Sequence, residues 1–421
     1  MIIRPYFCYI FFIVLIISSF MMHTHAAETK SVNLYIISDK AFVGDRSQLL
    51  GVARESEKYF KSKYVMLNVE EYDKSQLETV KNQIGRNKNL AIIVSVGYYG
   101  IESITKLKSD PELAKNIIAV HLSHQLLDNG TLSHKQLVQE KRDNFLGADI
   151  IALPSHALDK QNTKLTGKLT GVNTILLTTN GVAHNMQVSD IESEYAAFKS
   201  MFSSFDKYLA VILAGDVPEN GTYHCYTNKE AEKLANYVSN LALKNNYFVL
   251  VSNGPRTGKY DCQNNKELSV HEKDSIMDTV TSSFQRVLQE NRVPFKLFDF
   301  KKGQPSMYKA ILGAVLYNKH SLIIVPGEST SMVSETVDML PAKTVTVYYN
   351  STMNETHKRH IKNEFNEGRV SIIDENMHLH LPNIPNNMRV KYYSASENIA
   401  KGIYTLWHTR TVTIPKIIKL P

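Results

Sequence analysis

Short apolar runs without polar alternation recur along this chain, and a helical pattern separates each from the next. In the first half they are Val32–Ser38, Leu90–Val96, Ile117–Leu122, Ala148–Leu153 and Thr174–Thr178. The pattern restarts at Tyr208 with Leu209–Leu213, Tyr247–Val251, Phe295–Phe298, Leu322–Val325 and Thr344–Tyr349. A strand that is apolar on both faces needs cover on both faces, so the spacing predicts parallel sheets flanked by helices. One such helix is expected from Ser47 to Lys61, with Leu49, Leu50, Val52 and Ala53 on its buried side. No shorter repeat is present. The expectation is an α/β protein with two successive lobes facing a cleft, 31–205 and 206–393, followed by a terminal helix and tail, 394–421.

The chain opens with Arg4, an apolar run from Tyr6 to Met22, and Thr24-His25-Ala26-Ala27. Residues 1–26 therefore read as a signal peptide or an N-terminal anchor, and cleavage near Ala26 is preferred because small residues suit a peptidase. The protein is then expected to be exported (periplasmic, secreted or lumenal), touching a membrane only through that segment. The formal charge of +7 becomes +6 once Arg4 is removed. Lys and Arg are interspersed with Asp and Glu, which suits small anions and excludes a nucleic-acid footprint. Cys225 and Cys262 remain after the leader, and in an oxidising compartment they either pair or stay free. Asn129, Asn220, Asn350 and Asn354 head Asn-x-Ser/Thr sequons.

Ser321–Glu335 reads SLIIVPGESTSMVSE: a strand, a tight Pro326-Gly327 loop and a helix start. A helix N-terminus offers unpaired N–H groups and the positive end of its dipole, so it can hold an anion. Ser329, Thr330 and Ser331 add hydroxyl donors, and Gly327 lets the backbone come close. Beyond the strand at Val251, Arg256 and Lys259 flank Thr257-Gly258. Arg256 as a fork and Lys259 as a point charge could grip a diphosphate, and Glu335 could accept a ribose diol. In parallel sheets ligands sit beyond the carboxyl ends of strands, which points to Ser38, Asp39, Ser95, Gly97, Pro154, His156, Asn180 and His184. His156 and His184 each follow a first-lobe strand and could serve as a general base or pack structurally. The pairs His121/His124, His357/His360 and His378/His380 lack a third ligand, so no metal site is expected. There is no Walker loop, dinucleotide fingerprint or nucleophile elbow.

The segments ISDKAFVGDRSQLLGVA, SVGYYG, ALPSHA, GVAH, SNGPRTG, GQPSMY and IIVPGESTSMVSE, in this order over nearly the whole chain, resemble the plant mitochondrial-fission factor family (elongated mitochondria) and its bacterial relatives. That family is regarded as glycosyltransferase-like, with the B-type fold of two Rossmann-like parallel-sheet lobes. The resemblance implies a nucleotide-diphospho-sugar donor held by the second lobe. Arg256 and Ser329–Ser331 would face its phosphates and Glu335 its ribose. It implies an acceptor entering near Asp39, Gly97 and His156, with Asp39 and His156 as catalytic residues, and neither metal nor cofactor. Departures from the family pattern fall on ligand loops, around Asp39, around His156 and at the single Arg256, which makes a degenerate transferase one expectation. The alternatives are an exported two-lobed small-molecule-binding protein and a non-catalytic scaffold in membrane remodelling. A solute-binding protein would cross between its lobes two or three times, whereas the transferase fold crosses once near residue 205 and returns with its terminal helix.

Overall fold

The computed structural model describes residues 31–39, 43–87, 89–123, 147–158, 174–202, 205–219, 221–383 and 393–411. The leader, the sequons at Asn129 and Asn220, His124 and part of the first ligand loop lie outside the described residues. No described helix is long and apolar enough to cross a membrane.

Six strands, β1 (Ser31–Ser38), β2 (Met66–Asp73), β3 (Ala91–Val96), β4 (Ile117–Leu122), β5 (Ile150–Pro154) and β6 (Ile175–Thr179), form an all-parallel sheet in the order β2-β1-β3-β4-β5-β6. β3, β4 and β5 are buried along their whole length, as their unbroken apolar sequence requires. The chain reverses its direction of travel across the sheet between β1 and β3, so the crevice of this lobe lies beyond Ser38 and Val96.

The second sheet takes β7 (Tyr208–Ile212), β10 (Phe248–Ser252), β13 (Phe295–Phe298), β14 (Leu322–Pro326), β15 (Val345–Tyr348), β16 (Ser371–Ile373) and β17 (Leu379–His380). Two hairpins, β8 (Val217–Glu219) with β9 (Thr222–His224) and β11 (Tyr260–Asp261) with β12 (Lys266–Glu267), stand apart from it. Its order is β13-β10-β7-β14-β15-β16-β17, parallel except for β17. In chain order the parallel strands run third, second, first, fourth, fifth, sixth, the arrangement of dinucleotide-binding sheets, with the reversal between β7 and β14. The chain thus adopts the expected class, two Rossmann-like parallel-sheet lobes facing a cleft.

After β6 the chain passes to the second lobe and threads against it: Val182 N donates to Ser334 Oγ at 3.1 Å. Helix Val188–Phe198, on the first-lobe side of the boundary expected near 205, buries Ile191 in the second lobe's core beside helix Tyr308–Tyr317. Gly313 makes that approach possible, since a Cβ there would lie 2.4 Å from Tyr195 Cβ. The terminal helix Ala395–Thr411 returns to the first lobe and packs on helix Val43–Lys61, where Phe60 meets Tyr404 edge-on at 5.1 Å.

Cys225 and Cys262 form a disulfide. It ties the chain leaving β9 to the turn after β11, and the Tyr223 and Tyr260 rings stack beside it at 3.8 Å. It closes a loop with a sequence separation of 37, so the Cys225→Ser, Cys262→Ser double variant should lose about 3–4 kcal/mol of stability by loop-closure entropy. Urea unfolding of both proteins checks this, and equal midpoints would show that the bond adds nothing.

Candidate functional site

Beyond the reversal point between β7 and β14, loops of the second lobe build one wall of a cavity of about 280 Å³ between the lobes. Arg256, Glu328, Ser329, Thr330, Ser331 and Glu335 form that wall. Gly44, Asp45, Ser47 and Gln48 of the first lobe and Val182–His184 of the segment passing between the lobes form the other.

Glu328 fixes the second-lobe wall. Its Oε1 accepts from Gly215 N at 2.8 Å and its Oε2 from Asn350 Nδ2 at 2.9 Å, bridging the ends of β7 and β15. Burial pushes its carboxyl above the ordinary glutamate value, and the donors from Gly215 and Asn350 oppose that rise. Asn350, expected above as a sequon head, is buried and committed to this bridge, and Asn354 caps helix Glu355–Asn366. Helix Thr330–Met339 follows, with Ser329 at its N-cap position but no side-chain cap bond. Its first-turn N–H groups have no partner inside the helix, and the cluster reading Ser329–Ser331 faces the cavity.

Arg256 is delivered by the loop after β10. Asp216 N donates to Arg256 O at 2.9 Å, and Gly215 leaves the room, since a Cβ there would lie 2.8 Å from Arg256 Cβ. Asn253 anchors the loop's base: its Nδ2 donates to Asp278 Oδ2 at 3.1 Å and Asp299 Oδ1 at 2.7 Å, and its Oδ1 accepts from Phe300 N at 2.6 Å. His271 Nε2 donates to Thr257 O at 2.7 Å. His271, Asp278 and Asp299 place ligand-type atoms within 4.8 Å of one another. Their oxygens already serve Asn253, Thr281 and the Lys301 ammonium, which lies 3.0 Å from Asp299 Oδ2, so the group supports the Arg256 loop.

Six of the residues named from sequence, Arg256, Ser329, Thr330, Ser331, Glu335 and His184, meet in this cavity. Four that were assigned a ligand or catalytic role, Lys259, Gly327, Asp39 and His156, do not line it. Lys259 is turned into the β11–β12 hairpin, 3.0 Å from Glu267 and over the Tyr260 ring. Gly327 is a packing glycine instead of a ligand approach: a Cβ there would lie 2.5 Å from Ile361 Cδ1 and 2.7 Å from Met353 Sδ. Asp39 is buried at the end of β1 with Lys74 Nζ on its Oδ2 at 2.6 Å, so its charge is already matched. His156 is buried in a contact between the lobes, its ring 4.5 Å from His360 and its carbonyl accepting from Arg359 Nε at 3.0 Å.

Sequence reading missed Asp45, Ser47 and Gln48, because it began the helix at Ser47 when the first turn starts at Val43. The acid in that turn was the available signal. His184 sits in the wall with both nitrogens engaged: Nδ1 accepts from Met186 N at 3.3 Å, which places the proton on Nε2, 3.0 Å from Asp338 Oδ2. Behind it lies a second interlobe cavity of about 340 Å³, bounded by Arg54, Met186, Leu340 and Arg369.

No family model and no curated protein matches the chain. Among solved structures it is similar to the UDP-GlcNAc 2-epimerase of Neisseria meningitidis bound to UDP-GlcNAc, at 10% identity over 90% of this chain and 100% of that one, with a TM-score of 0.42. A likeness to the Methanocaldococcus jannaschii UDP-GlcNAc 2-epimerase in complex with UDP-GlcNAc and UDP has 10% identity, covers 89% and 99%, and has a TM-score of 0.39. A third is to the trehalose 6-phosphate synthase of Burkholderia multivorans, with 7% identity, 91% and 89% covered, and a TM-score of 0.41. The fold assigned above rests on the strand orders of this chain.

Proposed function

We propose that this chain binds a nucleoside diphosphate sugar between its lobes, as a glycosyltransferase-like protein of the B-type fold. The observation that carries this is the convergence of Arg256, the open N-terminus of helix 330–339 with its three hydroxyl residues, and Glu335 on one interlobe cavity. A cation fork and a helix N-terminus suit a diphosphate. A carboxylate one turn further along the same helix suits a ribose diol. Membership of the mitochondrial-fission factor family is the finer form of the same reading, supported by the ordered segments quoted above. Export behind the N-terminal leader belongs to it as well. Among the described residues β1–β6 lie in one sheet and β7, β10 and β13–β17 in the other, with one passage between them and a return by the terminal helix. That path favours a transferase-type protein over a solute-binding one.

Calorimetric titration with UDP and GDP tests the reading. Arg256→Ala should weaken the preferred nucleotide by about tenfold or more, the worth of a lost charged hydrogen bond. If neither nucleotide binds, or Arg256→Ala and Glu335→Ala bind as well as the parent, the donor site is misassigned. pH supplies a further expectation. Burial pushes the Glu335 carboxyl above its ordinary value, opposed by His184 and Lys309. Only the ionised form accepts both ribose hydroxyls, so affinity should fall as pH is lowered, starting above the ordinary glutamate range, and Glu335→Gln should flatten that dependence.

A further inference from the structure

Independently of the nucleotide reading, we infer that His271, Asp278 and Asp299 form a site for one divalent transition-metal ion, zinc in the first instance, which clamps the base of the Arg256 loop. The three residues place ligand-type atoms within 4.8 Å of one another. His271 Nε2 donates to Thr257 O at 2.7 Å, so the lone pair is on Nδ1. That nitrogen is buried without a hydrogen-bond partner, on a residue 4% exposed. An imidazole whose other nitrogen donates to a backbone carbonyl is held in the tautomer and orientation of a metal ligand.

Asp278 supplies the charge that calls for a cation. It is 2% exposed, and among the described residues no cation pairs with it. Lys301, the ammonium beside Asp299, has three N–H groups. They face Asp299 Oδ2 at 3.0 Å, Ser275 O at 2.8 Å and Ser275 Oγ at 3.3 Å, which leaves none for Asp278. The N-terminus of helix Thr279–Glu290 offsets part of the Asp278 charge, and the rest stays buried.

The hydrogen bonds to these carboxylates do not exhaust them, since each offers about four lone-pair sites. Asp278 accepts from Thr281 N on Oδ1, and from Thr281 Oγ1 and Asn253 Nδ2 on Oδ2. Asp299 accepts from Asn253 Nδ2 on Oδ1 and meets Lys301 on Oδ2. Gly258 keeps the space beside Asp278 Oδ1 clear, because a Cβ there would lie 2.7 Å from that oxygen. One imidazole with two carboxylates is a nitrogen–oxygen set that suits zinc, whereas magnesium and calcium prefer oxygen alone. Zinc holds such ligands at about 2.0–2.2 Å, so the three side chains would close on it by at most about 1.5 Å, with water in the fourth position. The ion would join Thr257 and Asn253, at the two sides of the loop's turn, to the start of helix 279–290 and the end of β13.

The full chain, stripped with EDTA and dialysed, is titrated with zinc chloride by calorimetry and followed by thermal unfolding. One equivalent should bind and raise the melting temperature. His271→Gln keeps an amide N–H for Thr257 O and removes Nδ1. Without metal it should melt close to the metal-free parent, and its zinc affinity should be lower by about 100-fold or more. Exposed His378 and His380 beside Asp374 could take zinc adventitiously, so His380→Ala is the control and should keep the tight equivalent. Should His271→Gln fail to fold, Asp299→Asn is titrated in its place, with the same loss expected. A parent that binds no zinc, a His271→Gln or Asp299→Asn chain that binds it like the parent, or binding that disappears with His380→Ala overturns the site. A parent that takes calcium or magnesium in preference to zinc overturns the choice of metal. None of these outcomes depends on nucleotide binding.

Discussion

Replacing Arg369 with Met should destabilise the protein by about 3–5 kcal/mol, the cost of removing one member of a buried ion network. The guanidinium contacts Asp338 through Nη2 and lies 3.3 Å from Glu364 Oε2 through Nε, and the three side chains are 7%, 8% and 1% exposed. Without it two carboxylates stay inside with no cation to offset their desolvation. The loss should spread to function, because Asp338 also holds Nε2 of His184, and His184 borders both interlobe cavities. Denaturant midpoints of Arg369→Met, Asp338→Asn and the double variant check the argument. The double variant should be less damaged than the sum of the singles, because it removes one of the stranded charges. Strict additivity would mean that the pair is not coupled.

That network also marks where the sequence stopped being legible. The buried strands could be read because their cover on both faces leaves unbroken apolar runs, and most of the strands expected from them fall within one or two residues of those observed. β2 escaped because it is an edge strand, MLNVEEYD, exposed along much of one side, so its residues alternate with charge and read as loop. Helix Glu355–Asn366 escaped for the opposite reason. It buries His360 and Glu364 together with Ile361, so its inward face carries no apolar period, although Asn354 at its N-cap was there to be read. Missing that helix is what left His156 looking like a loop histidine: its ring neighbour, His360, comes from a segment 204 positions away. The site followed the same logic. Ser329–Ser331 and Glu335 belong to one local strand–turn–helix and were readable in place, whereas the pairings that remove Lys259 and Asp39 from the cavity depend on Glu267 and Lys74.

Gly51→Ala should have the largest effect of any glycine-to-alanine change among the described residues. An ideal Cβ at Gly51 lies 2.0 Å from His184 O and 2.5 Å from His184 C, both backbone atoms, and 2.9 Å from Ser396 Oγ. A flexible side chain could turn away; a main-chain carbonyl cannot. Helix 43–61 would have to move off the segment that carries the chain between the lobes, and Ser396, which donates to His184 O at 3.2 Å, would lose its seat. The expected cost is about 3 kcal/mol or more, at the upper end of overpacking in a dense interior. Arg54, on the same helix, donates to Asn185 O at 2.5 Å, so the second cavity should distort with the first. Gly85→Ala is the control. It lies in helix Leu77–Arg86, its Cβ would make ordinary contact with Leu113 Cδ2 at 3.7 Å, and it should stabilise the protein by about 0.5–1 kcal/mol through helix propensity. Thermal and urea unfolding of the two variants therefore separate in opposite directions from the parent, and a Gly51→Ala chain that unfolds with the parent would mean that helix 43–61 and residue 184 do not meet as closely as the fold requires.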